Sequence, residues 1–253
     1  LTFLPEPAVH DEFSFLLAAD TFTHGRLTNP THPMWRHFET FHVIQEPSYA
    51  STYPPGQGVF LAAGEWAAGH PIFGVWLSLG LACAALCWML QAFVPARWAF
   101  YGGLLAATHR GIVSQWSHCY SGGPYWGGCV PMLGGALLYG ALRRMWIRPT
   151  AGNSLVLATG LVLLATSRPF EGFVASLPAA VALVYWMVRR DGPSWRTIGL
   201  RVVAPIVLVM TPTALALGYY NLRVTGSAAK MPYQVHEEIY AETPLFLFQP
   251  VKP

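Results

Sequence analysis

The sequence predicts an all-α, polytopic transmembrane helical bundle with about six membrane helices, and three observations carry that expectation. The 253 residues are 53% hydrophobic and only 11% charged, against roughly a quarter charged in soluble domains. Six apolar runs follow a polar opening segment. Basic residues gather on alternate connections between those runs, as they do in a chain threaded through a bilayer. The chain divides into a polar outer loop at 1–58, a helical region at 59–222 and the start of a second outer segment at 223–253.

Within 1–58 stand Glu6, Asp11, Glu12, Asp20, Glu39 and Glu46, half of the chain's acids. Phe13, Leu16, Leu17 and Phe22 recur at roughly helical spacing, which predicts a short amphipathic helix from about Glu12 to Phe22. Asp11 would then sit at its start, where free backbone N–H groups favour a carboxylate. Thr28-Asn29-Pro30-Thr31-His32-Pro33 reads as an extended turn. Tyr53-Pro54-Pro55-Gly56 halts the chain again, and Gln57 to Gly69 reads as a short interfacial helix.

The apolar runs are Pro71 to Val94, Trp98 to Val113, Val130 to Ile147, Ser154 to Thr166, Gly172 to Val188 and Val202 to Leu222. Several fall short of the ~20 residues that cross a ~30 Å hydrocarbon core. Their connections alternate in charge. One set holds Arg97, then Arg143, Arg144 and Arg148, then Arg189, Arg190, Arg196 and Arg201, against the single acid Asp191. The other set holds the remaining acids, which places the 1–58 loop, the Trp126-Gly127-Gly128 loop, Arg168 to Glu171 and the C-terminal segment together on the outer side. The Gly127 to Ala136 stretch is rich in small residues and predicts close helix approach.

The chain opens Leu1-Thr2-Phe3-Leu4-Pro5 without the charged and apolar regions of a signal peptide, and is expected to be an internal stretch of a longer protein. The modest net charge of +3 is spread in short clusters. That excludes the continuous basic stripe of a nucleic-acid binder. Cys83 and Cys87 lie four apart inside an apolar run, and Cys119 and Cys129 flank a Gly-rich loop where a disulfide is one option. No zinc-ligand pattern occurs.

Among candidate functional residues the adjacent carboxylates Asp11 and Glu12 come first, with His10 beside them, Asp20 about two turns later and Tyr53 at the end of the loop. A sugar hydroxyl is a poor nucleophile near neutral pH, and a positioned carboxylate can take its proton. A carboxylate there can equally hold a divalent metal ion that neutralises a phosphate leaving group. Arg26 and Arg36 offer planar donor forks to a phosphate. Arg110, beside His109 within the second run, is costly in a membrane helix unless it faces a watery cavity. Arg168 and Glu171 join two runs so tightly that they lie close together, either as substrate contacts or as a local ion pair. His10, His24, His32, His37 and His42 match no metal-ligand spacing. His236, Glu237 and Glu238 are placed on the same face as the first loop.

Several strings together resemble the membrane glycosyltransferases of the GT-C superfamily, and within it the bacterial dolichyl-phosphate-mannose–protein mannosyltransferase-like group, family 39. They are His10-Asp11-Glu12-Phe13-Ser14, Asp20-Thr21-Phe22, Gly25-Arg26-Leu27, Tyr125-Trp126-Gly127-Gly128, Ser167-Arg168-Pro169-Phe170-Glu171-Gly172 and Met231-Pro232-Tyr233-Gln234-Val235-His236. The resemblance implies inverting transfer of a sugar from a polyprenyl-phosphate donor to a lipid, glycan or protein acceptor. It also implies residence in the bacterial inner membrane among membrane lipids, with an active site on the periplasmic side. Asp11 would be the catalytic carboxylate and Glu12 its motif partner, with His10, Asp20, Arg26, Tyr53, Arg110, Arg168 and Glu171 around the substrate. The rival class is a non-enzymatic transporter or flippase-like protein with Arg110 lining a pathway. Such proteins show internal repeats, and none is evident here. A scaffold without chemistry is the third reading, favoured if Asp11 and Arg168 lie far apart.

Overall fold

The computed structural model describes residues 4–109, 111–112, 123–189 and 192–240. Among the described residues the helices are α1 (His10–Thr23), α2 (Pro55–Ala68), α3 (Ile72–Leu90), α4 (Ala96–Thr108), α5 (Cys129–Ile147), α6 (Ala151–Ser167), α7 (Pro169–Val188), α8 (Trp195–Thr225) and α9 (Pro232–Tyr240). The first segment also contains a small antiparallel hairpin, β1 (Val43–Ile44) with β2 (Ala50–Ser51), which the helical expectation did not include.

Local chemistry sets several boundaries. Pro55 begins α2 with its ring already at helical φ, and Gly69 ends it in the left-handed conformation at φ 76°. Thr150 caps α6 by accepting from the Asn153 N–H. Pro169 opens α7 directly after Arg168, so that one residue separates α6 from α7. Gly226 closes α8, again left-handed.

Among the described residues three helices are long and apolar enough to cross a membrane: Ile72–Leu90, Pro169–Val188 and Trp195–Thr225. About six were expected, and of that expectation the helical character and these three candidate spans are shown. Ala151–Ser167 is apolar but shorter. α4 has 13 residues, about 20 Å of helix against a hydrocarbon core of about 30 Å. α5 has 19 residues, but its last turns carry Arg143 and Arg144.

The main core joins α5, α6, α7 and α8 through Leu138, Leu142, Met145, Leu157, Leu164, Trp186 and Val202. A second core joins α1, α2 and α3 through Phe15, Ala19, Leu61, Ile72 and Val75, closed by Tyr125. Backbones touch where glycines meet. A Cβ on Gly64 would stand 2.0 Å from the Gly74 nitrogen, and one on Gly134 would stand 2.9 Å from the Gly160 carbonyl oxygen. The small-residue stretch is thus used at Gly134, whereas Gly135 faces open space. Only 17% of the apolar window of α7 and 11% of that of α8 is buried. Phe173, Val181, Val207, Leu208 and Leu215 point outward, a surface that suits hydrocarbon far better than water.

The face that α1 buries differs from the one its periodicity predicts. Phe13 is 55% exposed, while Glu12, Ser14, Phe15, Ala18, Ala19 and Thr21 are buried.

Candidate functional site at the loop end of the bundle

Four segments distant in sequence meet at one end of the helices, and Glu12 is the fastener. Its carboxylate is wholly buried. Oε2 accepts from the backbone N–H of Ala8 at 2.7 Å and of Val9 at 3.2 Å, and Oε1 accepts from that of Tyr125 at 3.0 Å. The Tyr125 hydroxyl returns the link by donating to the Pro5 carbonyl at 2.8 Å. A Cβ on Gly123 would fall 1.6 Å from Glu12 Oε1, so only glycine leaves room for the carboxylate. Glu12 therefore ties the start of α1 to the turn before α5. Glu12, which the resemblance makes the motif partner of Asp11, does not line the cavity described next.

Asp11, one position earlier, points the other way. Its Oδ1 accepts from the Tyr53 hydroxyl and lies 3.8 Å from His42 Nε2. Tyr53 stacks on Phe15 at 4.4 Å between ring centroids and on His42 at 5.6 Å. His42 stacks in turn on His236 at 5.9 Å, and His236 meets Tyr240 at 5.0 Å. The rings form a ladder from α1 to α9. It is built on strained backbone, since His42 has φ 62°, which costs a residue with a Cβ about 1 kcal/mol. Two hydrogen bonds to the His42 carbonyl, from Ser14 Oγ at 2.6 Å and Thr52 N at 3.1 Å, hold it there.

The ladder forms one wall of a cavity of about 690 Å³ lined by His10, Glu39, His42, Thr52, Tyr53, His236, Glu237 and Tyr240, among others. Thr52 Oγ1 is buried in this wall and has no hydrogen-bond partner among the described residues. Burial and the Asp11 carboxylate push the Tyr53 hydroxyl well above its usual range, while the Arg168 guanidinium pulls it down. Tyr53 is thus a neutral donor at any physiological pH, and Arg168 is close enough to act on it. Burial and the neighbouring His42 push the His236 imidazole below its usual value.

Arg168 also lies 3.6 Å from Glu171 across the α6–α7 turn, the closeness that the spacing predicted. Arg26 lines a second cavity of about 560 Å³, which also has Pro55 in its wall. That cavity runs between α2, α6 and α8 and is mainly apolar, with Phe22, Val59, Val162, Leu217 and Tyr220 in its wall. Asp20 is not brought to either cavity. It pairs with His24 at 3.4 Å, nine residues along α1 from Asp11 and so about 14 Å away. Arg36 lies over the Trp35 ring in a 3-10 turn of the first loop, at neither cavity. Arg110 and Cys119 fall outside the described residues, and Cys129 is a buried free thiol. Among the described residues no group of three or more His, Cys, Asp or Glu side chains is placed to hold a metal ion.

His42, Thr52, Glu39 and Tyr240 carry no local signal that would have singled them out. Only the stacking of the first loop on α9 reveals them. Glu39 accepts from the Tyr240 hydroxyl at 3.2 Å across 201 positions of sequence. No family model, no curated protein and no solved structure matches the chain.

Proposed function

We propose that this protein is a membrane glycosyltransferase that moves a sugar, with inversion, from a polyprenyl-phosphate donor to a hydroxyl-bearing lipid, glycan or protein acceptor. The observation that carries the reading is the Asp11–Tyr53–His42 constellation. A carboxylate, held by a neutral phenol and facing an imidazole, stands behind the wall of a cavity at the rim of an apolar bundle. In the step proposed, the acceptor hydroxyl loses its proton to the Asp11–His42 pair as its oxygen bonds to the anomeric carbon. The bond from that carbon to the phosphate oxygen breaks on the opposite face, and the lipid phosphate leaves with the electron pair. Arg168, on the Tyr53 side, meets the charge that develops there. The apolar cavity beside Arg26 suits a prenyl tail, with the guanidinium at its rim for the phosphate. Thr52 Oγ1, buried and unpartnered among the described residues, is a ready contact for a sugar or acceptor hydroxyl.

The arginines of the opposite connections orient the loop end outward under the positive-inside rule. The proposed location is the bacterial inner membrane, with the cavity on the periplasmic side. The test is transfer from polyprenyl-phosphate sugars by the full-length protein in membranes. Asp11→Asn is expected to abolish transfer while the thermal unfolding profile in detergent is kept. Transfer at the wild-type rate by that variant refutes the assignment.

A further inference from the structure

We infer that the end of the bundle opposite the candidate site carries a binding site for an anionic phospholipid, its phosphodiester held by Arg143 and Arg189 and an acyl chain in the cleft beside Trp146. The inference rests on the three apolar helices lying in a membrane and is independent of sugar transfer.

A cavity of about 540 Å³ opens between α5 and α7, lined by Phe93, Tyr139, Leu142, Arg143, Trp146 and Pro178 with Ala182. Its volume is that of a small-molecule site, roughly 300–1,000 Å³, and apart from Arg143 and the Tyr139 hydroxyl its wall is apolar. That hydroxyl is already spent on the Ala175 carbonyl, to which it donates at 2.6 Å. One arginine lines the cleft and a second lies beside one of its lining rings. Arg143 is exposed at the mouth. The Arg189 guanidinium lies 5.6 Å from the centre of the Trp146 ring, and its Nε is buried with no hydrogen-bond partner among the described residues. A buried donor without an acceptor is costly, and an incoming phosphate oxygen supplies one.

Arg144 next door shows the contrast. It donates to the carbonyls of Trp88 at 2.7 Å and Gly140 at 3.0 Å and stacks 3.8 Å from the Trp88 ring. Its guanidinium is committed to joining α3 and α5, whereas Arg143 lines the cleft and the Arg189 guanidinium lies beside Trp146, a residue of the cleft wall. The connections at this end hold a single acid, Asp191, among their arginines. Arg143 in the wall of an apolar slot, with Arg189 beside its Trp146, matches a ligand with an anionic head and a hydrocarbon tail. Basic pockets between membrane helices recognise such head groups, and the guanidinium fork suits phosphate oxygens.

The test uses the full-length protein in nanodiscs of phosphatidylcholine, doped with brominated phosphatidylglycerol or with brominated phosphatidylcholine. The Trp146 signal is taken as the fluorescence difference between the wild type and Trp146→Phe. Brominated phosphatidylglycerol is expected to quench Trp146 at the lower dose. Arg143→Gln with Arg189→Gln should reduce that preference about tenfold, equivalent to about 1.4 kcal/mol. Arg143→Gln alone changes only an exposed side chain, and should reduce the preference in part even where the double variant fails to insert. Equal quenching by the two lipids overturns the inference, as does a preference that survives the substitutions. Reversal by inorganic phosphate also overturns it, because the site would then read the anion and not the lipid.

Discussion

Glu12→Ala removes the fastener between the first loop and the turn before α5, and its cost can be worked from the contacts. Three backbone N–H groups, of Ala8, Val9 and Tyr125, lose a charged acceptor at 2.7, 3.2 and 3.0 Å. Hydrogen bonds to charged groups contribute about 1.5–3 kcal/mol each. Relief from burying the carboxylate offsets part of that sum, leaving a loss on the order of 4 kcal/mol. For a chain of this size that lowers the unfolding temperature by about 10 °C. Gly123→Ala should cost a similar amount by another route. Gly123 has φ −64°, an ordinary value, so the penalty is purely spatial: the new Cβ would stand 1.6 Å from Oε1 and expel the carboxylate. Because both changes break one fastening, the double variant Glu12→Ala with Gly123→Ala should be little worse than either alone. The coupling would be nearly the whole of one single-variant loss, about 3 kcal/mol or more, at or above the upper end of contacting pairs. Thermal unfolding of the four proteins in one detergent reads this directly. Additive losses, or a Glu12→Ala protein within about 2 °C of wild type, would refute the fastening argument.

Three further outcomes follow from the geometry. His236 is held below its usual pKa of 6.5 by burial and by His42. The unfolded chain therefore takes up that proton first on acidification, so this residue's share of stability is complete above about pH 6.5 and declines as the pH falls through the lower folded value. Hydrogen exchange of the α9 amides between about pH 8 and pH 5 should show acid-induced opening that His236→Gln flattens; an unchanged profile contradicts the stacking role. Gly64→Ala forces a Cβ to 2.0 Å from the Gly74 backbone and should destabilise by about 3 kcal/mol or more, the upper range of overpacking, measured by thermal unfolding. Arg26→Gln should raise KM for a polyprenyl-phosphate donor about tenfold with little change in kcat, since a rim contact to phosphate contributes about 1.4 kcal/mol or more; an unchanged KM removes Arg26 from the donor site.

Much of the architecture was legible because its causes are local. Pro55 and Gly69 bracket α2, Arg168 and Glu171 lie close across a one-residue turn, and the alternating charge of the connections sorts the two ends of the bundle. Gathering acids at one end also brought the first loop, the turn at 124–126, Arg168 and α9 together. Span number was less legible, because an apolar run records composition and not where the helix stops. Trp98 to Val113 reads as one run, yet α4 ends at Thr108.

The amino-acid order settles that these segments become helices and which end each connection occupies, since both follow from hydropathy and charge summed over neighbours. It cannot settle which side of a helix is inner. In a bundle clad in hydrocarbon the inward and outward faces are alike apolar, so the spacing of Phe13 and Leu17 looks the same whether the ring packs or faces outward. Nor can it tell Asp11 from Glu12. One carboxylate turns to Tyr53 and His42, and the other is consumed by a backbone N–H 113 positions away. Only the folding of distant segments onto one another separates the carboxylate that meets Tyr53 and His42 from the one that fastens the segments together.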